Sequence, residues 1–135
     1  MTPVSSHDLK GDRARFAYTE AAGWPEHWRK DATKRVQGLP VQIRTQGLLV
    51  TLAALTGETD EAGPRLAGAL ATWLLKEAPH RPLGRPATRD RPSAADLLDT
   101  LARAPRPAHA AAQREAILLL DQVKIFAKAL HGQED

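Results

Sequence analysis

Histidine is the side chain in this sequence best suited to metal binding or proton transfer, and the chain contains five histidines. Helical metal ligands lie on one face when they are about four residues apart, or else they must be brought together by the fold. No two of these histidines are that close in the sequence. We therefore expect no metal site at His7, His27, His80, His109 or His131.

One dipeptide resembles part of a catalytic motif. His7 and Asp8 form the His-Asp pair found in metal-dependent phosphohydrolases. No histidine precedes this pair, and no matching second pair follows it. We interpret His7 and Asp8 as capping or solvent-exposed residues near the N-terminus.

Carboxylate pairs are the other candidates for catalysis. Asp96 and Asp99 fall on a short predicted helix, and Glu134 and Asp135 fall on the C-terminal tail. General acid–base catalysis needs a carboxyl group in a desolvated pocket that shifts its pKa, and neither position suggests one. The chain also lacks both glycine-rich signatures of phosphate-binding loops. The sequence therefore predicts a protein that is not an enzyme and needs no cofactor.

Cations form the most suggestive pattern. Four of them lie on the predicted second helix, away from the apolar face that carries Trp28, Ala32 and Val36. Arg44 follows the break after that helix, and Lys124 and Lys128 lie one turn apart on the last helix. Such residues can neutralise nucleic-acid phosphates without reading a base sequence, and a solvated charged surface is the alternative interpretation. The candidate RNA-binding residues are Arg29, Lys30, Lys34, Arg35, Arg44, Lys124 and Lys128.

Composition favours an all-α fold. Alanine and leucine dominate the 135 residues, whereas β-branched and aromatic residues are sparse. That length is enough to close one hydrophobic core. The absence of cysteine excludes disulfides, and no apolar run reaches the roughly 18 residues of a membrane helix. We therefore expect a cytoplasmic protein without membrane contact, whose net charge of +3 permits a phosphate-bearing partner.

Glycine and proline positions divide the chain into about six predicted helices in a single compact domain over residues 1–135. The third is apolar on nearly every face after Gly47, so we expect it to be the most buried, with Gly47 at a close helix crossing. The apolar stripe of the last helix runs from Ile117 to Leu130. The predicted helices span about 8–22, 25–38, 41–55, 64–77, 93–104 and 108–130.

Residues 78–92 separate the predicted fourth and fifth helices. Four prolines in this segment exclude a regular helix, and it also carries four arginines. We expect it to be a flexible loop within the single domain.

Two sequence blocks carry a resemblance to a known family. In the first, a Leu-Pro pair precedes an Ile-Arg-Thr-x-Gly-Leu segment and an apolar helix. The second is a Lys-x-Phe-Ala-x-Ala pattern in the last helix. Together they resemble the small helical subunit of type III-B CRISPR effector complexes, the fifth protein family of the Cmr complex. The matching residues are Leu39, Pro40, Ile43, Arg44, Thr45, Gly47, Leu48, Leu52 and Leu55, then Lys124, Phe126, Ala127 and Ala129.

The resemblance implies a non-catalytic subunit of an RNA-guided, RNA-targeting complex in antiviral defence. Its implied partners are the other Cmr subunits, copies of itself in a short filament, guide RNA and target RNA. Because base pairing between guide and target supplies specificity, such a subunit need supply only charge and shape. The seven candidate cations would then contact RNA phosphates or acidic neighbours.

Other interpretations remain open from the residues alone. The chain fits a generic helical protein-interaction module, or the small subunit of a related type III CRISPR complex. A helix-turn-helix DNA binder is a further alternative, although the proline-rich turn after the fifth helix departs from the three- to four-residue turn of that motif.

Overall fold

The computed structural model describes residues 8–84 and 91–132. These residues form seven α-helices and one π-helical turn without any strand, which confirms the predicted all-α class. His7, Glu134, Asp135 and residues 85–90 of the predicted loop lie outside the described ranges. The elements are α1 (Leu9–Ala22), α2 (Glu26–Gln37), α3 (Leu39–Gln46), α4 (Leu48–Thr56), α5 (Ala62–Thr72), the π-turn (Trp73–Glu77), α6 (Ala94–Arg103) and α7 (Arg106–His131).

Helix α7 is the organising element of the bundle. It packs against α1, α2 and α3 and also contacts the π-turn. Its buried apolar residues follow the three- to four-residue spacing of one helix face, with Leu119 and Leu120 adjacent at its centre. Full burial of each large aliphatic side chain contributes about 1.5–3 kcal/mol to folding. The buried apolar residues are Ala112, Ala116, Leu119, Leu120, Val123 and Ala127.

The predicted stripe on the last helix ends one turn early. Leu130 is 41% exposed, so its predicted place in the core is wrong. In this last turn it is His131 that reaches the bundle, because its Nε2 lies 2.8 Å from the Ala21 carbonyl oxygen. The ring of His131 also packs near Trp24, with 6.1 Å between the ring centroids.

The predicted third helix is two helices, divided at Gly47. This residue has φ 90° and ψ 158°, a conformation that favours glycine. The prediction of a close helix crossing is also wrong, because a Cβ at Gly47 would lie 3.8 Å from its nearest neighbour, Gln113 Oε1. That oxygen accepts a 2.9 Å hydrogen bond from Leu48 N–H. A side chain of α7 thus caps the N-terminus of α4.

Helix α4 is buried on one face and exposed on the other, although its sequence is almost wholly apolar. Leu48, Leu52 and Leu55 are fully buried, whereas Val50 is 54% exposed. The prediction that this segment is the most buried helix is therefore wrong. Its neighbours α3, α5 and α6 cover only part of its circumference, so the remaining face meets solvent.

A buried carboxylate joins α1, α7 and the π-turn. Glu115 is 3% exposed and receives hydrogen bonds from Arg13 Nε at 2.7 Å and Arg13 Nη2 at 2.8 Å. Trp73 Nε1 donates to the same carboxylate at 2.8 Å. His80 Nε2 lies 3.2 Å from its other oxygen. Hydrogen bonding to Glu115 raises the pKa of Arg13, opposed by burial and assisted by the negative charge of Glu115.

The π-turn sets the direction of Trp73. Its hydrogen bond runs from Ala78 N–H to the Trp73 carbonyl oxygen at 2.8 Å, five residues back instead of four. The wider turn buries three consecutive large side chains, Trp73, Leu74 and Leu75.

We expect Gly47→Ala to destabilise the fold by about 1–3 kcal/mol, because a Cβ strains a backbone with positive φ. Urea unfolding followed by circular dichroism measures the change. Gly38→Ala is the matched control, since Gly38 has φ −95° and no atom within 4 Å of an added Cβ. Equal stability of the two variants would contradict a conformational requirement at residue 47.

We expect Glu115→Gln to cost about 3–5 kcal/mol in the free energy of unfolding, because it leaves the Arg13 charge buried without a counter-ion. Trp73→Phe removes only one hydrogen bond and should cost about 1 kcal/mol. Since the pKa of Arg13 is raised, its contribution is complete below the ordinary arginine pKa and is lost only as pH rises through the raised value. Urea unfolding at neutral pH therefore measures the whole pair, and a smaller loss for Glu115→Gln than for Trp73→Phe would contradict this assignment.

Candidate nucleic-acid interface

The acidic connection between α4 and α5 neutralises one flank of α2. Arg35 Nε lies 2.9 Å and Nη2 lies 2.8 Å from Glu58 Oε2. Arg35 Nη1 also donates to Gln42 Oε1 at 3.2 Å. His27 Nε2 lies 3.1 Å from a carboxylate oxygen of Glu61. Arg35, a candidate RNA contact from the sequence, is thus held in an intramolecular ion pair and is only about a quarter exposed.

Arg29 is also engaged within the protein. Its Nη2 donates to the Trp24 carbonyl oxygen at 3.3 Å, which ties α2 to the turn that precedes it. Its Nε is buried without a hydrogen-bond partner among the described residues. The half-buried guanidinium of Arg29 is therefore a poorer phosphate ligand than the exposed lysine beside it.

The opposite flank of α2 meets the end of α7 and forms what we call the lysine groove. Its cavity has a volume of about 360 Å³. Over residues 8–84 and 91–132, none of its three ammonium groups forms an ion pair with a carboxylate. Two of the lysines come from α2 and the third from α7. The lining residues are Lys30, Thr33, Lys34, Gln37, Lys128, His131 and Gly132.

Two further candidates continue this basic surface along α7. Lys124 lies one turn before Lys128 on the same helix. Arg44 of α3 is 57% exposed, and its Nη2 is 4.0 Å from Asp121 Oδ2, a contact that leaves most of the guanidinium in solvent. Asp121 and Lys128 are separated by about 10 Å along the α7 axis. The structure therefore brings together five of the seven predicted cations: Lys30, Lys34, Arg44, Lys124 and Lys128.

Sequence reasoning missed the polar lining of the groove. Gln37 and Thr33 lie on the same face of α2 as Lys30 and Lys34, and His131 follows Lys128 by three residues on α7. The spacing of three residues was visible in the sequence and places His131 beside Lys128 on the helix surface. The sequence does not show that α2 and α7 pack together, so this spacing alone could not place His131 beside Lys30 and Lys34.

The ring of His131 is fixed in orientation. Its Nε2 lies 2.8 Å from the carbonyl oxygen of Ala21, and a carbonyl can only accept a hydrogen bond, so Nε2 carries the proton. In the neutral ring, Nδ1 is then an acceptor that makes no hydrogen bond within the described part of the chain. The groove thus combines cationic and hydrogen-bond-accepting groups.

The described residues show neither a metal site nor a membrane-spanning helix. Across both described ranges, no group of three or more histidine or acidic side chains is arranged to hold a metal ion. None of the described helices combines the length and the apolarity that crossing a membrane requires.

Comparison with known protein families identifies a match over most of the chain. A family model described as "CRISPR-associated protein (Cas_Cmr5)" matches residues 9–130. The matched span contains all seven helices apart from the last residue of α7, and it contains every candidate cation. No curated protein and no solved structure matches the chain.

Removal of Arg35 should affect stability, whereas removal of the adjacent Lys34 should affect RNA affinity. Arg35→Ala should reduce stability by about 1 kcal/mol, because it deprives Glu58 of its ion pair, and should leave RNA affinity nearly unchanged. Lys34→Ala should leave stability within about 0.5 kcal/mol and weaken RNA binding. Thermal unfolding and RNA-binding titrations separate the two effects. Loss of RNA affinity in Arg35→Ala at unchanged stability would contradict this division of α2.

Proposed function

Because the chain belongs to the CRISPR-associated Cas_Cmr5 family, and is a Cmr5-type small subunit of a type III-B effector complex, we propose that it acts without catalysis as a support for bound RNA. In this role the basic surface of α2, α3 and α7 holds the backbone of the guide–target duplex in antiviral defence. The observation that carries the proposal is the lysine groove, where cations from two helices converge without acidic partners in the described chain.

The electrostatics of this surface suit backbone binding. A lysine ammonium that has no internal partner can neutralise a phosphate and release a counter-ion without first breaking a protein contact. Lys30, Lys34 and Lys128 meet this condition, whereas Arg35 does not. Since guide and target recognise each other by pairing, a surface that reads only charge and shape is sufficient.

Assembly is the second part of the proposal. Membership of the family implies association with other Cmr subunits, and we propose that copies of this chain also stack along the complex. Large exposed apolar side chains suit such protein contacts. Leu118 and Ile125 lie seven residues apart on one face of α7 and are both exposed, and Val41 of α3 is 61% exposed.

The family match favours this proposal over the small subunit of a related type III complex or a generic helical module. Copurification tests it directly. A tagged copy expressed in its native host should recover the other Cmr subunits together with short guide RNAs. Recovery of the chain without RNA or Cmr subunits would overturn the proposal.

Charge reversal on the basic surface tests RNA support within the assembled complex. The triple variant Lys34→Glu, Lys124→Glu and Lys128→Glu should weaken target binding and lower the magnitude of the slope of log affinity against log salt by about 2–3, because three phosphate contacts are lost. Titrations at several salt concentrations measure the slope.

A charge-matched triple variant provides the control for this measurement. Lys10, Arg106 and Arg114 are exposed and form no ion pair with another described residue. Reversing these three cations changes the net charge equally and should leave the salt slope unchanged. If both triple variants show the same slope, the effect is one of net charge, and the surface of α2 and α7 is not the RNA contact.

A further inference from the structure

We propose that the lysine groove binds one unpaired nucleotide of the RNA, with its phosphate on the lysines and its base in the cavity. This inference rests on the proposed RNA-supporting function and adds a ligand class to the same site. Backbone neutralisation alone needs only exposed cations on a surface. The lysine groove is in addition a half-open concavity between α2 and the end of α7, and its shape and lining require their own explanation.

The size of the cavity limits what can enter it. Its volume of about 360 Å³ lies at the small end of the range of about 300–1,000 Å³ for ligand pockets. A single nucleotide matches this volume more closely than a base pair, which contains two bases. The occupant is therefore expected to be a nucleotide that is not paired with the other strand.

The lining carries two kinds of chemistry. The aliphatic stems of Lys30, Lys34 and Lys128 supply apolar wall while their ammonium groups supply charge. Nucleotides have the matching composition, since a flat, largely apolar base is joined to an anionic phosphate. Inorganic phosphate would use only the ammonium groups, and an uncharged nucleoside would use only the walls.

Hydrogen-bond acceptors dominate the remaining lining. Thr33 donates its hydroxyl hydrogen to the Arg29 carbonyl oxygen at 2.8 Å, and Gln37 Nε2 donates to the Thr33 carbonyl oxygen at 3.2 Å. These bonds leave the Thr33 hydroxyl lone pairs, Gln37 Oε1 and His131 Nδ1 as acceptors. The N–H groups on the edge of an unpaired base are donors of the required kind, and pairing with another strand would consume them.

The groove is preorganised at its α7 end. The hydrogen bond to Ala21 holds the His131 ring, which can serve as a stacking surface for a base. Gly132 closes the same end. A Cβ at Gly132 would lie 2.9 Å from the Lys128 carbonyl oxygen and 3.0 Å from Lys128 Cγ, so the chain can pass this close to the lysine only as glycine.

Nuclear magnetic resonance of the full chain tests the ligand class. Adenosine 5′-monophosphate should shift the amide signals of residues 30–37 and 128–132 in a saturable manner. Adenosine and inorganic phosphate should each bind at least tenfold more weakly, because each uses only part of the lining. Equal affinity for inorganic phosphate and the nucleotide would overturn the proposal.

Filling the cavity without changing its charge separates this inference from the proposed function. Gln37→Phe occupies the wall and keeps every lysine, so nucleotide affinity should fall at least tenfold while the salt slope of target binding by the complex stays unchanged. Gln122→Phe, on α7 outside the groove, is the matched control and should retain nucleotide binding. If circular dichroism shows that Gln37→Phe unfolds, Thr33→Val tests the same wall by removing its hydroxyl acceptor.

The outcomes distinguish the two proposals. Unaltered nucleotide binding in folded Gln37→Phe or Thr33→Val would overturn the nucleotide site. The RNA-supporting function would stand in that case, provided that the lysine triple variant still lowers the salt slope. If the triple variant also has no effect on target binding, both proposals fail together.

Discussion

One buried carboxylate sets the relation between the two longest helices. Isolated burial of Glu115 would cost several kcal/mol, and Arg13 compensates for that cost only in one bidentate geometry. Hydrophobic packing tolerates small shifts between helices, whereas this pair does not. Further contacts follow in the same chain direction along both helices. Tyr18 packs on Phe126, and then the Ala21 carbonyl oxygen accepts a hydrogen bond from His131. Helices α1 and α7 therefore run parallel, and their C-terminal ends meet beside the lysine groove.

That arrangement explains how one short helix can have two chemically different flanks. Helix α2 carries cations around much of its surface, and its tertiary neighbours decide which of them remain available. The acidic connection before α5 neutralises Arg35 on one flank. On the other flank, α7 contributes Lys128 and His131 instead of acids, so positive charge accumulates there. The proposed binding surface is thus defined as much by where acidic residues are placed as by where basic residues occur.

Much of the fold followed from local signals. Glycine and proline positions marked most helix ends, and a capping box formed by Ser93 and Asp96 begins α6. The break at Gly47 was hidden because glycine inside one helix and glycine between two helices look alike in sequence. Its deciding partner, Gln113, lies on another helix. The different environments of Lys34 and Arg35 could not be predicted for the same reason, since Glu58, the ion-pair partner of Arg35, is 23 residues away along the chain. Local sequence patterns located the cations, but only tertiary contacts determine which of them are ion-paired and which remain available.

The π-turn has a consequence for how this chain can tolerate change in length. A π-turn is equivalent to an α-helix that has accepted one extra residue. Deleting one residue between Leu74 and Glu77 would let α5 continue as a regular helix, but everything beyond it would rotate by about 100° and shift by about 1.5 Å. His80 would then lose its place beside Glu115. The segment from Trp73 to His80 is therefore sensitive to insertions and deletions, in contrast to an ordinary surface connection. Both of its end residues contact the Glu115 carboxylate, which fixes the number of residues between them.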